Sequence, residues 1–255
     1  MPARLKIIGS YVSPYVRKVL VCLELKGIDY EIDPIAPFVG NDEFTRLSPL
    51  RRIPVLLDDG LVLNDSSVIC QYLEDRHPNP ALYPADIAER ARARWLEEYA
   101  DTRLADVLVW QLFYQLGARP RIFGESADQA IVQHAREVTI PASLDYLEGQ
   151  LPHDGFVFGA FSIADLSLAC FFRTAAFVRY SIDAMRWPRM AALVAQVLAL
   201  PVLQKLARLE DCMLRLPLAE QRGALLAAGA PLSSDTLGTG APQHGLARSS
   251  YSSGP

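Results

Sequence analysis

The chain opens on an apolar run at 5–9 and then changes period. Val16, Val19, Leu20 and Leu23 recur at three- and four-residue spacing, which predicts a helix over 14–26 that stops at Gly27. Further apolar runs predict strands at 28–33, 53–57 and 60–63, a short helix near 41–47 and a helix over 65–76, with a hairpin turn at Asp58-Asp59-Gly60. The order βαβαββα describes a small four-stranded α/β layer whose first helix joins a parallel pair. Pro78, Pro80 and Pro84 then interrupt the chain, and strand signals cease. Helical periodicity takes over at 86–117, 126–150, 162–180, 187–199 and 201–212, with breaks at Pro120, Pro152, Gly155, Pro188 and Pro201. The pattern gives an α/β domain at 1–77, a linker at 78–85 and an all-α bundle at 86–216. Beyond it Ala, Gly, Ser and Pro dominate, so 217–255 is expected to be a disordered tail.

Composition excludes more than it selects. With 255 residues, 51% of them hydrophobic and 21% charged, the chain can fill one large core or two smaller ones. A net charge of -4 without any Lys/Arg run leaves no face for a phosphate backbone, so nucleic acid is not an expected partner. No apolar stretch reaches the roughly 18 residues that cross a bilayer, and the N-terminus leads into a strand without a signal-peptide core. A cytoplasmic protein with no membrane partner is the expectation. Cys22, Cys70, Cys170 and Cys212 lie far apart within apolar patterns and read as buried small hydrophobes rather than a redox pair. His77, His134, His153 and His244 show no metal-ligand spacing, and no metal is expected.

Three places carry candidate chemistry. Ser13-Pro14-Tyr15-Val16-Arg17-Lys18 joins the first strand directly to the first helix, with Ser13 at the N-cap and Pro14 as the first helical residue. The unpaired N–H groups and positive dipole end of that helix favour an anion, and a hydroxyl there can donate to a thiolate. Taken alone, the turn equally describes a helix cap. Arg52-Ile53-Pro54-Val55-Leu56 puts a proline at a strand start. It is either an ordinary trans-proline or a cis-proline that exposes the backbone of Ile53. Asn64-Asp65-Ser66-Ser67 opens the next helix with a carboxylate, hydroxyls and orphan N–H groups, suited to an amino acid's ammonium and carboxylate, and also to simple capping. Ser162-Ile163-Ala164-Asp165, flanked by Phe161 and Leu166, is a capping box that belongs to folding.

The order of these motifs, followed by a proline-rich linker and an all-helical second domain, resembles the cytosolic glutathione S-transferase superfamily over residues 4 to 212. The serine turn is most similar to serine-type bacterial and Tau-like members, and least to those that use a more distant tyrosine. The resemblance implies a thioredoxin-like first domain, a homodimer and glutathione as co-substrate. It implies that Ser13 donates to the glutathione thiolate and Ile53 pairs with the cysteinyl backbone, while Asp65 and Ser66 hold the γ-glutamyl end. Arg52 stands where relatives often have a lysine near the glycyl carboxylate. Because many relatives read Gly-Lys where this chain has Arg51-Arg52, Arg51 is taken as a solvated neighbour.

A free thiol of pKa near 8.5 is only a few per cent thiolate at neutral pH, and a helix N-terminus with a hydroxyl donor lowers it. An electrophile held beside the sulfur then reacts through proximity. Tyr11 and Val12 in the turn and Trp110, Phe113 and Tyr114 on the long helix are candidate walls for a small apolar electrophile, although a stripe at that spacing is also how a core looks. Tyr11 is the competing hydroxyl. Three functional classes follow: a glutathione transferase, a glutathione-dependent thiol oxidoreductase, and a non-catalytic binding or regulatory protein. The second needs a cysteine where this chain has Ser13, since a hydroxyl forms no mixed disulfide.

Overall fold

Asp59 and Gly60 both take positive φ, 46° and 85°. Left-handed geometry at both centres of a two-residue loop matches the twist of the flanking strands, and the loop joins β3 (Val55–Asp58) to β4 (Leu61–Asn64). β1 (Leu5–Ile8) lies between β2 (Tyr30–Asp33) and β3, parallel to the first and antiparallel to the second, in a sheet of order β2-β1-β3-β4. The computed structural model describes residues 5–239 and 241–243. β3 begins at Val55, two residues later than expected, because Pro54 has no N–H for the ladder. α1 (Pro14–Leu25) ends before Gly27, at φ 64°, and packs with α3 (Ser66–Arg76), while α2 (Asp42–Leu47) follows a short 3₁₀ turn, Pro37–Val39. Ile7, Ile8, Val16, Leu20, Ile69 and Leu73 close this core with no exposure. Cys22 and Cys70, remote in sequence, meet within it with their sulfurs 3.5 Å apart, whereas Cys212 is only half-buried.

The chain divides into two compact units. One contains the residues up to Pro80 together with those from Gln204 on, the other residues 81–203. In the second, α4 (Ile87–Tyr99) continues without a break through a π-type stretch, Ala100–Ala118, into α5 (Arg119–Phe123). The break expected at Pro120 is absent: the proline stands where π-type bonding returns to α-type and a missing N–H is tolerated, and the helix stops at Gly124 instead. α6 (Gln129–His134) passes through a π turn, Ala135–Thr139, into α7 (Ile140–Glu148), and α9 (Pro188–Leu198) follows α8 (Ile163–Ala176), the central helix.

The buried Asp165 holds the start of α8. Its carboxylate accepts the N–H and the hydroxyl of Ser162 and the N–H of Val157, each at 2.8 Å. Burial pushes its pKa above the ordinary carboxylate value even against these bonds. Asp165→Ala leaves those donors unpaired, so urea unfolding should report a loss of about 3 kcal/mol. A loss below about 1 kcal/mol would show that water replaces the carboxylate.

α10 (Pro201–Arg215) was expected to lie wholly in the helical domain. From Gln204 on it belongs with the sheet instead. The disorder expected at 217–255 is also corrected over the described part of that range: α11 (Leu218–Ala227) buries Leu225, and an extended segment then runs along the open edge of β2. Ile32 N–H donates to Pro231 O at 2.8 Å, Ser233 N–H donates to Ile32 O at 3.0 Å, and Leu232 bridges Ile32 in parallel. Low hydrophobicity does not prevent order here because main-chain hydrogen bonds to an unpaired strand edge supply it. The remainder of the expected tail, at 240 and 244–255, lies outside the described residues. No single helix among the described residues is long and apolar enough to cross a membrane.

Candidate functional site

Register brings the three candidate motifs to one end of the sheet. Ile8 pairs with Val55, and Val55 with Asn64. The segments just beyond those residues, the Gly9–Ser13 turn, Ile53–Pro54 and Asp65–Ser66, therefore stand side by side. Gly9 confirms the closeness, since a Cβ on it would come within 3.3 Å of Ile53 Cβ.

Ser13 caps α1 with extended backbone, φ −71° and ψ 129°. Its Oγ accepts the N–H of Val16 at 3.4 Å. A hydroxyl has one proton to give, and among the described residues nothing receives it from the half-buried Ser13. A donor thus remains at the helix end where negative charge is best tolerated.

The turn is braced by residues that sequence reading missed. Arg17 Nε lies 2.5 Å from Glu210 Oε1, with both side chains 1% exposed, and an Arg17 Nη2–H reaches Val12 O at 3.4 Å. Ser10 Oγ donates to Met213 Sδ at 3.5 Å. α10 therefore grips both ends of the turn. One local signal existed, an arginine among the apolar positions of α1, but its partner lies 193 residues away.

Tyr11 is enclosed, 1% exposed, and its hydroxyl has no hydrogen-bond partner among the described residues. Burial first, and then the charge of Glu24 near the far end of α1, push its pKa upward, and Tyr30 lies within the same electrostatic neighbourhood. A phenol held this way stays protonated, and at 1% exposure Tyr11 offers almost no open surface as a pocket wall. Val12 remains half-buried in the turn.

The Ile53–Pro54 bond is cis, which decides between the two alternatives left open by the sequence. Arg51 is not solvated: it is 2% exposed, and its guanidinium donates to the carbonyls of Pro37 (3.1 Å) and Gly40 (2.8 Å) and to Thr45 Oγ1 (2.5 Å). Arg52 is the exposed member of the pair, and Ser48 Oγ accepts its N–H at 2.9 Å and donates to its carbonyl at 2.8 Å.

Asp65 caps α3 at φ 80°, and its Oδ1 accepts the N–H groups of Ser67 (2.9 Å) and Val68 (3.2 Å). Its other oxygen lies on an exposed residue and can take an ammonium. Beside it Ser66 is 1% exposed, and its Oγ has no hydrogen-bond partner among the described residues. A buried hydroxyl without a partner is costly unless a ligand completes it. The buried Lys18 donates to Ser67 Oγ at 3.0 Å, which adds positive charge near the same helix end.

Trp110, Phe113 and Tyr114 belong to the helical unit. Trp110 meets Tyr114 in a tilted contact at 5.7 Å, and Phe113 meets Phe177 edge-on at 6.1 Å. No group of acidic, His or Cys side chains able to hold a metal occurs among the described residues.

Two family models match the chain, the glutathione S-transferase N-terminal domain over residues 7–81 and the glutathione S-transferase C-terminal domain over residues 95–196. An uncharacterised GST-like protein of Escherichia coli, YibF, is 33% identical over 167 residues, covering 65% of this chain and 79% of that one. Mouse maleylacetoacetate isomerase is 29% identical over 195 residues, 73% of this chain and 84% of its own. Matches to several other relatives are shorter, with that to Arabidopsis glutathione S-transferase Z2 spanning 41% of its length at 37% identity. Among solved structures, a Methylobacterium radiotolerans glutathione S-transferase in complex with glutathione sulfonate superposes with a TM-score of 0.65 at 27% identity, covering 79% of this chain and 93% of that one. The sheet order, the helical second unit and these matches together place this chain in the glutathione S-transferase family.

Proposed function

We propose that this protein is a glutathione-dependent enzyme in which the Ser13 hydroxyl donates to the glutathione sulfur and holds it as the thiolate. The observation that carries the reading is the unassigned Ser13 proton at the N-terminus of α1, aligned by strand register with Pro54 and Ser66. Asp65 and Ser66 would hold the γ-glutamyl end, the Ile53 backbone the cysteinyl part, and Arg52 the glycyl carboxylate. The partnerless Ser66 hydroxyl supports that fit. When bound, glutathione supplies a soft nucleophile that either stays joined to an electrophile or leaves again after isomerising an activated double bond. Ser13 contributes a hydrogen bond that strengthens as charge gathers on sulfur, and Arg17 with Glu210 keeps the turn in place.

The names of relatives favour the second outcome. Two mammalian matches are maleylacetoacetate isomerases, and a solved structure of 27% identity, TM-score 0.65, is a bacterial maleylpyruvate isomerase of the Zeta class, covering 80% of this chain and 97% of its own. We therefore place isomerisation of a cis-configured, carbonyl-activated diacid ahead of conjugation of an apolar electrophile of the Tau-like kind. Trp110, Phe113 and Tyr114 remain the apolar side chains offered to the latter. A homodimer belongs to the same proposal, and the exposed Leu61, Val62 and Val68 on β4 and α3 are apolar surface suited to a second copy.

The test is glutathione-dependent turnover of maleylpyruvate beside that of a halogenated nitroarene. Isomerisation that disappears without glutathione is the expected result. Conjugation alone would restore the transferase reading, and bound glutathione with no turnover of either would overturn catalysis.

A further inference from the structure

The segment after α11 does more than cover a strand edge. Asp33, fully buried at the end of β2, accepts Thr236 Oγ1–H at 2.8 Å and Leu237 N–H at 2.6 Å, and Asp235 pairs with Lys6 at 2.9 Å. From that anchor the chain runs along residues 36–41. Asn41 N–H donates to Leu237 O at 2.8 Å, Gly238 bridges Gly40, and Thr239 N–H and Oγ1–H donate to Val39 O at 2.6 and 3.0 Å. Gln243 N–H donates to Phe38 O at 2.7 Å.

The polar groups of this loop are divided between two clamps. The carbonyls of Pro37 and Gly40 go to the buried Arg51 guanidinium, whereas those of Phe38 and Val39, with the Asn41 N–H, go to the C-terminal segment. Arg51 is bonded in sequence to Arg52, whose backbone is fixed on both sides by Ser48. The loop lies at the site end of the sheet, because Ile8 pairs with Asp33 as well as with Val55. The second family model ends at residue 196, before this segment begins.

We propose that residues 230–239 form a built-in strap that holds loop 36–41 against Arg51 and so fixes Arg52 for the glycyl carboxylate of glutathione. Thr236, Leu237 and Thr239 are thus positioning residues for one end of the ligand. This rests on the assignment of Arg52 made above. Without the strap, two polar groups of the loop, the Val39 carbonyl and the Asn41 N–H, lose their partners, the loop shifts, and the Arg51–Arg52 backbone with it.

The test compares binding of glutathione with that of γ-glutamylcysteine, which lacks the glycyl residue, in full-length protein. Wild type should bind glutathione about tenfold more tightly than the dipeptide, a fold-change typical of one charge-assisted contact. Thr239→Pro removes the N–H and hydroxyl donors to Val39. It should lose at least fivefold of glutathione affinity while dipeptide affinity stays within twofold, and it should add nothing to Arg52→Ala in the double variant. Thr236→Val removes one anchor with little risk to folding, and should reduce the preference two- to threefold; it decides the matter if Thr239→Pro fails to fold. If wild type does not prefer glutathione, the Arg52 assignment fails and the strap's role falls with it. If wild type keeps the preference and both strap variants keep it too, or lose affinity for both ligands equally, the Arg52 assignment survives and the strap is only structural.

Discussion

Ser13→Ala should lower glutathione-dependent turnover about 10- to 30-fold at neutral pH while glutathione affinity changes by less than threefold. The asymmetry follows from where the hydroxyl acts. Binding is spread over Asp65, Ser66, Arg52 and the Ile53 backbone, whereas Ser13 Oγ meets only the sulfur. With a thiol pKa near 8.5 only about 3% of the glutathione is thiolate at neutral pH, so losing the donor costs at most about 30-fold in rate, about 2 kcal/mol. The same substitution removes an N-cap that accepts from Val16, so about 1 kcal/mol of stability should go as well. That loss is too small to explain the rate, and a melting curve separates the two. Tyr11→Phe is the control: its hydroxyl is buried and has no hydrogen-bond partner among the described residues, so turnover should persist. Loss of turnover in Tyr11→Phe with activity kept in Ser13→Ala would move the donor to Tyr11.

The largest effect on stability is expected at the far end of the chain. Glu210→Ala removes the carboxylate that lies 2.5 Å from Arg17 Nε, both side chains being 1% exposed, and breaking a buried pair from one side typically costs 3–5 kcal/mol. Because Arg17 also donates to Val12 O beside Ser13, the damage falls on the turn itself. Replacing both members, Arg17→Met with Glu210→Leu, should recover most of that loss, because neither charge of the pair then remains buried. Urea unfolding of the two variants provides the comparison. Equal destabilisation in single and double variants would mean that packing around α10, rather than charge compensation, holds the turn.

How far the sequence could be read followed the range of each interaction. The strands, the hairpin at Asp59-Gly60 and the caps at Ser13, Asp65 and Ser162 were legible because capping and turn chemistry act within three or four residues. Their alignment into one site followed from register, which becomes explicit only when Ile8 meets Val55 and Val55 meets Asn64. Arg51 was misread as solvated because its acceptors, the carbonyls of Pro37 and Gly40, carry no side-chain signal. The partnership of Arg17 with Glu210 and the meeting of Cys22 with Cys70 depend on packing between distant helices, and spacing does not encode it. The segment after Ala227 was the largest error. A sequence poor in apolar residues was judged by what it can bury, whereas its order comes from main-chain bonds to β2 and from the carboxylate of Asp33.

The most direct test of the central claim is the thiol pKa of bound glutathione, read from thiolate absorbance in the ultraviolet between pH 5 and 9 in wild type and Ser13→Ala. Ser13 is expected to bring that pKa at least one unit below the free value near 8.5, with the variant returning towards it, about 1.4 kcal/mol of preference for the charged form per unit. Below the lowered pKa the preference for thiolate should vanish, so turnover should rise with pH through it. Bound glutathione that ionises near 8.5 in both proteins would contradict the account.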